Sequence, residues 1–404
     1  MKPITYDMIK GTSFGYWALL GIFGVFIVAA LGSAYYMESN GHYVTGMNNQ
    51  IVWGMPHVFA VFLIVAASGA LNVASIGSVF GKAMYKPLAR LSALLAITLL
   101  IGGLMILVLD LGRPDRLIIS MTIYNFKSIF AWNMILYSGF IAVVGIYLWT
   151  MMQHNLKKYN RAAGMGAFIW RLTLTTGTGS IFGFLVARSA YDAAIMAPMF
   201  IIMSFSFGLA IFLVYLITTY HLTGRPLGDV IVNRLRKLLG IFVIAVLYFV
   251  LVYHLTNLYL AEHSGIERFI LLDGGIYPKV FWIDQIIIGS LIPLLIFYVP
   301  VFYKSRLMLS FGALLVVFGG LAQLYVIIVG GQAYPLQIFP GMEVSSSFGD
   351  GQTGNYTPTP AEILLGIGGV GVALAATTFA IKILPFLPQS LANEVVDPHS
   401  TPTT

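Results

Sequence analysis

The sequence contains no cysteine. That absence excludes disulfides, cysteine-ligated iron-sulfur clusters, thioether-linked haem and thiol catalysis, and it leaves histidine and carboxylates as the ligands any redox metal would need. Charge is also scarce: Asp, Glu, Lys and Arg make up 9% of the 404 residues, with 7 histidines besides. Apolar residues fill the space, at 58% of the chain and a mean hydropathy of +0.88. Such a composition lies far outside that of soluble proteins and describes an all-α polytopic membrane protein. The net charge of +7 is dispersed through short loops. It therefore reads as topology and not as a nucleic-acid surface.

A bilayer core of about 30 Å needs roughly 20 apolar residues per helix. Ten stretches meet that requirement, at 15–37, 52–78, 88–110, 128–152, 166–188, 193–220, 238–261, 280–303, 307–330 and 361–384. The first follows Lys2 and Lys10 as a signal peptide would, but its apolar run is too long for one and reads as a retained anchor. Of the 22 Lys and Arg residues, sixteen fall on the side of the termini and six (Arg113, Arg116, Lys127, Arg188, Arg268, Lys279) on the other. The positive-inside rule then puts both termini in the cytoplasm.

The segment WGMPHVFAVFLIVAASGAL at the second helix and AIMAPMFIIMSFSFGLA at the sixth share an early proline followed by small residues, a faint internal repeat. The chain accordingly divides into an N-terminal stretch with the first helix (1–51), two four-helix bundles (52–188 and 189–330), and an outer loop, last helix and tail (331–404). The tail after Pro388 is expected to be mobile. The outer loop of about 30 residues has no Lys or Arg, and Tyr334, Phe339 and Tyr356 in it favour packing against something, a docking role being expected.

Topology assigns each polar residue a depth. His57, Asp110, Asp192, His254, Asn257, Asp284 and Glu362 all come out in the outer third, from six helices. Ionisable groups are costly in lipid unless solvated, paired or used. A lone histidine such as His57 is more often a packing residue than a ligand, and Asp192 and Glu362 suit helix N-termini. Asp284 and His254 lie one to two turns inside their helices, where water is scarcer. The most concentrated charge is the collar LDLGRPDRLIISMTIYNFKS, which holds Asp110, Arg113, Asp115, Arg116 and Lys127. Gly112 and Pro114 also make it a serviceable helix stop. On the inner side, Arg171 is followed by Thr173, Thr175, Thr176, Thr178 and Ser180, a pattern for close helix contacts, with a proton half-channel as the alternative.

WGMPHVFAVFLIVAASGAL, LDLGRPDR with Asn125-Phe126-Lys127-Ser128 downstream, and FWIDQIIIGSLIPLL resemble successive landmarks of the NrfD, or polysulfide reductase, membrane-subunit family. GHYVTGMNNQIVWGMPHVFA and YNFKSIFAWN resemble its DsrP branch, the membrane subunits of DsrMKJOP sulfur-metabolism complexes. The resemblance implies two haem-free four-helix bundles exchanging electrons between menaquinone or ubiquinone and an extracytoplasmic, ferredoxin-like iron-sulfur subunit (DsrO-like). It also implies cytochrome and further membrane subunits as partners, with no haem or iron-sulfur cluster in this chain. By matching position it points to His57 and to Asp110 through Arg113.

Quinol oxidation releases two electrons and two protons, so a site needs a hydrogen-bond partner for each oxygen and a base with an exit to water. His57 is expected at one quinone oxygen, Asp110 as proton acceptor and Arg113 beside it, with Asn125 nearby. His254, Asn257 and Asp284 form a corresponding group in the second half. Two other readings stay open: a haem b carrier ligated by His57 and His254, and a secondary transporter, whose site would lie at midplane on broken helices.

Overall fold

The computed structural model describes residues 4–336 and 351–397. Among these, nine helices are long and apolar enough to cross a membrane: α1 (Phe14–Asn40), α2 (Met55–Ser78), α3 (Ala83–Leu109), α4 (Ile129–Met152), α6 (Met196–Thr223), α7 (Asp229–Tyr259), α8 (Tyr277–Tyr298), α9 (Arg306–Ala333) and α10 (Pro360–Ile383). Between α4 and α6 lies α5 (Asn160–Gly183), 24 residues long, which its arginines and threonines make less apolar than the others. Its crossing follows from the chain ends. Strand β1 (Tyr6–Asp7) pairs antiparallel with β2 (Leu387–Pro388), so both ends of the described chain lie at one end of the bundle. An even number of crossings is required, and α5 supplies the tenth.

The helix boundaries follow local chemistry. Ser13 caps α1 by accepting from the Tyr16 N–H, Ser305 caps α9 through the Met308 N–H, and Gly224, at φ 64°, ends α6 in the left-handed conformation that glycine adopts without steric cost. At the same end, Arg90 near the start of α3 donates to the carbonyls of Met151, at the end of α4, and Pro385, tying both helices to the C-terminal segment.

Helix α2 packs on both α3 and α6, α4 on α5, α5 on α6, and α9 on α6 and α8, while α1 pairs with α10, which lies against α2 and α3. The closest approach is where α2 crosses α6. A Cβ on Gly69 would collide with the Ser204 carbonyl, and one on Gly208 with the backbone of Gly69 and Ala70. Backbone contact this close needs glycine on both helices. Helix α2 is the hub, buried almost continuously from Val58 to Ala74.

Two expectations change. Residues 389–397 are not a free tail: Leu391 and Val396 are buried, Leu391 exchanges backbone hydrogen bonds with Pro226 and Gly228, and Asn393 accepts from the Val230 N–H. Those apolar side chains anchor the segment, and the Ser/Thr/Pro-rich residues 398–404 lie outside the described residues. The described parts of the loop before α10, up to residue 336 and from 351 onward, pack on their own chain. Tyr334 packs edge-on to Phe269, and Tyr356 is inserted between α2 and α10; Phe339 lies outside the described residues.

Candidate functional site

Pro56 in the first turn of α2 sets the backbone for helix start, and His57 follows it. Asp110 closes α3, its N–H bonded to the Ile106 carbonyl. The antiparallel helices approach closely at Gly103, opposite Ala60, Leu63 and Ile64, which brings the two side chains together. The His57 Nδ1 stands 3.0 Å from the Asp110 Oδ2, with the carboxylate 1% exposed and the imidazole 25% exposed. Even so, Nδ1 and both carboxylate oxygens are buried without an aligned hydrogen bond among the described residues. Such a group is costly unless a ligand, water or proton completes it.

Beside His57 an aromatic wall begins with Trp53, 6.2 Å between ring centroids, and continues through Phe130, Phe182 and Tyr191. Gln332 of α9 fixes Trp53: its Oε1 accepts the Val52 and Trp53 N–H groups and its Nε2 donates to the Trp53 carbonyl. Arg188 donates to the carbonyls of Gln332 and Gln50. Above them Glu362 is fully buried and accepts four hydrogen bonds, from the N–H of Gly46 and Thr359, the Thr359 hydroxyl and the Tyr356 hydroxyl. Tyr356 in turn accepts the Met55 N–H, one of the donors that α2 leaves unpaired at its start. Glu362 is thus a clasp holding α2, α10 and the outer loop together.

Arg113 does not hold Asp110. Its guanidinium is exposed and forms a bidentate pair with Asp115, at 3.0 and 2.9 Å, because the short helical turn at 114–116 points the two side chains the same way. That guanidinium holds the Asp115 carboxyl below the usual carboxylate range. Asn125 is exposed and accepts the Lys127 N–H in the turn before α4. The collar also exposes Ile118, Ile123 and Phe126.

In the second half His254 does find a carboxylate, but it is Glu267 and not Asp284. The His254 Nδ1 is 2.6 Å from the Glu267 Oε2, the Asn257 amide donates to the Glu267 Oε1 at 2.8 Å, and His263 Nδ1 lies 3.2 Å from the Asn257 Oδ1. Glu267 sits after α7 on the segment Ser264–Arg268, which turns back over the helix end. Asp284 is half-buried and turned away, its neighbour Gln285 taking the inward position. Asp192 is exposed. Glu267, Trp53 and Gln332 escaped the sequence reading; for Glu267 the available signal was an acid beside an arginine in the otherwise apolar stretch GIERFILL.

The hydroxylated run of α5 splits by face. Thr175 bonds to Ser68 of α2 and Thr178 faces Asn133 of α4, whereas Thr173 and Thr176 point outward and bond to their own helix. Arg171 is buried between Phe168 and Phe205 and donates to the Asn72 side chain.

Known proteins resemble the chain over most of its length. The profile of the family described as "Polysulphide reductase, NrfD" matches residues 43–335. A protein of Archaeoglobus fulgidus, described as an Hdr-like menaquinol oxidoreductase integral membrane subunit, is 28% identical, covering 98% of this chain and 99% of its own. A putative dimethyl sulfoxide reductase membrane subunit of Halobacterium salinarum is 27% identical over 91% and 90% of the two chains. A selenate reductase subunit of Mesobacillus selenatarsenatis is 22% identical over 98% of both.

Proposed function

Because the chain belongs to the polysulphide reductase NrfD family, we propose that it is the membrane subunit through which a redox complex engages the quinone pool, with the His57–Asp110 pair as the reacting site. The observation that carries this reading is a buried carboxylate and an imidazole 3.0 Å apart beside the Trp53 ring, with Nδ1 and both carboxylate oxygens left without a hydrogen bond among the described residues. One relative is described as a menaquinol oxidoreductase subunit and two as subunits of reductases.

A quinol hydroxyl donates to the open Nε2 of His57, and as the ring oxidises the imidazole takes that proton while Asp110, against Nδ1, stabilises the resulting charge. Trp53 and its aromatic neighbours offer faces for the quinone ring. Two protons leave towards the outer end and two electrons pass to a partner. The partner is an extracytoplasmic, ferredoxin-like iron-sulfur subunit seated on the exposed collar around Ile118, Ile123 and Phe126, where charged and apolar groups alternate. In the DsrP reading, that partner and the remaining cytochrome and membrane subunits form a DsrMKJOP-like complex in a bacterial cytoplasmic membrane, with both termini of this chain inside.

His57→Ala and Asp110→Asn, each in the assembled complex, are expected to lower quinone turnover by about 10²- to 10⁴-fold, the range for loss of a general base, with the other subunits still bound. Turnover equal to the parent's in both would remove the assignment. The visible spectrum of the purified chain separates the haem reading: a sharp reduced b-type α-band would favour it. The structure ties His57 and His254 each to a separate carboxylate.

A further inference from the structure

The His57–Asp110 pair leaves the second half of the chain unexplained, and a cleft there carries its own chemistry. The cleft lies between α6, α7, α8, α9 and the segment after α7, narrow and open at its mouth. Its walls are mostly apolar, with Met199, Val250, Phe281 and Val326 among them, and the polar side chains of Tyr253, His254, Glu267, Gln285 and Gln323 also line it.

Two of these are poised for a ligand. Gln323 is 3% exposed, and its amide nitrogen has no acceptor among the described residues. A buried donor left unpaired in a native interior calls for a partner that the protein itself does not supply. His254 is held from behind: Glu267, 1% exposed, takes Nδ1, and Asn257 holds the other carboxylate oxygen. Only Nε2 remains for the cleft. With Nδ1 carrying the proton towards Glu267, Nε2 is an acceptor.

The lining therefore offers one donor, one acceptor and a second carboxamide, Gln285, in apolar surroundings. No Lys or Arg is among the described lining residues, and the one carboxylate among them, Glu267, is already engaged. Anions and cations are disfavoured in such a place, while a neutral flat ring bearing oxygens is matched. Phe281 and Tyr253 stand edge-on to the imidazole, at 4.8 and 5.0 Å between centroids.

The backbone is shaped around the same cleft. Three π-helical stretches, Phe269–Asp273, Val280–Leu291 and Val326–Gly330, contribute Ile270, Phe281, Gln285, Val326 and Ile327 to its wall. A π turn widens a helix and is rare outside functional sites.

We propose that this cleft is a second binding site for a quinone or quinol headgroup, held between His254 Nε2 and the Gln323 amide. The ligand class rests on the reading of the chain as a quinone-engaging subunit; the site itself does not depend on His57.

The test uses the full chain with its co-purifying subunits in lipid nanodiscs and menadione, a two-ring quinone, as the probe, with bound probe counted by equilibrium dialysis. The expected result is two menadione per chain, reduced to one by Gln323→Leu or His254→Leu and independently to one by His57→Ala. One menadione per chain, lost with His57→Ala and untouched by the other two variants, overturns this proposal and leaves the first site standing. Loss with Gln323→Leu but not with His57→Ala keeps this site and overturns the first. Loss with neither overturns both. Should the α7 or α9 variants not fold, photolabelling of the unaltered chain with an azido-naphthoquinone decides: labels within 250–271, 281–285 or 323–331 support the cleft, and labels confined to the neighbourhood of residues 53–57, 110 and 130 overturn it.

Discussion

Substituting glutamine for Glu362 changes neither the size nor the shape of a fully buried side chain, yet it should loosen the whole outer end of the molecule. The Glu362 Oε2 takes three donors, at 2.9, 2.8 and 2.9 Å, and Oε1 takes the Tyr356 hydroxyl at 2.7 Å. Glutamine's best placement keeps its oxygen on the three-donor side and turns its NH₂ towards Tyr356. The tyrosine hydroxyl then accepts from both that NH₂ and the Met55 N–H, and its own proton has nowhere to go. One charge-assisted bond is lost outright, and three others fall to neutral strength. With about 1.5 to 3 kcal/mol for a bond to a charged group and about 1 for a neutral one, the gross loss is about 3 to 9 kcal/mol; the smaller desolvation cost of an uncharged amide offsets part of it, so a net loss near the lower end, about 3 kcal/mol, is expected. Glu362→Ala, which strands all four donors, should cost more. The measurement is the unfolding midpoint of the full chain in mixed micelles, alongside protease sensitivity of the outer loop. Because Tyr356 holds the first turn of α2, two residues before His57, quinone turnover should fall in parallel with stability. A Gln variant with an unaltered midpoint and an unaltered cleavage rate would refute the clasp.

Four further outcomes follow from the same geometry. Gly208→Leu must push α6 off α2 at their backbone crossing and should cost at least the roughly 1 to 3 kcal/mol typical of overpacking, read as loss of assembled protein in membranes. Arg113→Ala should leave quinone turnover at the parent's level, since the guanidinium serves the exposed Asp115; a large fall would return Arg113 to the site. Burial first, and then the Glu362 carboxyl, hold the Tyr356 phenol above its ordinary value of 10.0. The folded chain therefore keeps a proton that the unfolded chain releases near that pH, so the contribution is complete below about pH 10 and is lost as pH rises further. Tyr356→Phe should flatten that alkaline limb of a stability profile. Asp284→Asn should leave menadione binding unaltered, because its side chain is turned away from the cleft.

How much of this was legible beforehand differs by scale. All ten helices, their order, and the placing of both ends of the described chain at one end of the bundle could be read from apolar run length and from the distribution of Lys and Arg, because partitioning into lipid acts on each segment by itself. So could the meeting of His57 with Asp110, since each lies at the same end of its antiparallel helix. The tertiary structure decided which polar groups actually pair. His254 meets Glu267 and not Asp284 because the chain turns back after α7, and because the rotation of α8 about its axis puts Gln285 inward. Arg113 turns to Asp115 across a short helical turn, Leu391 and Val396 tie down a stretch whose composition looked loose, and Gln332 reaches from α9 to hold Trp53. Depth along a helix is set by counting residues. Azimuth and long-range contact are set by how neighbouring helices pack, and no single segment of the sequence contains that information.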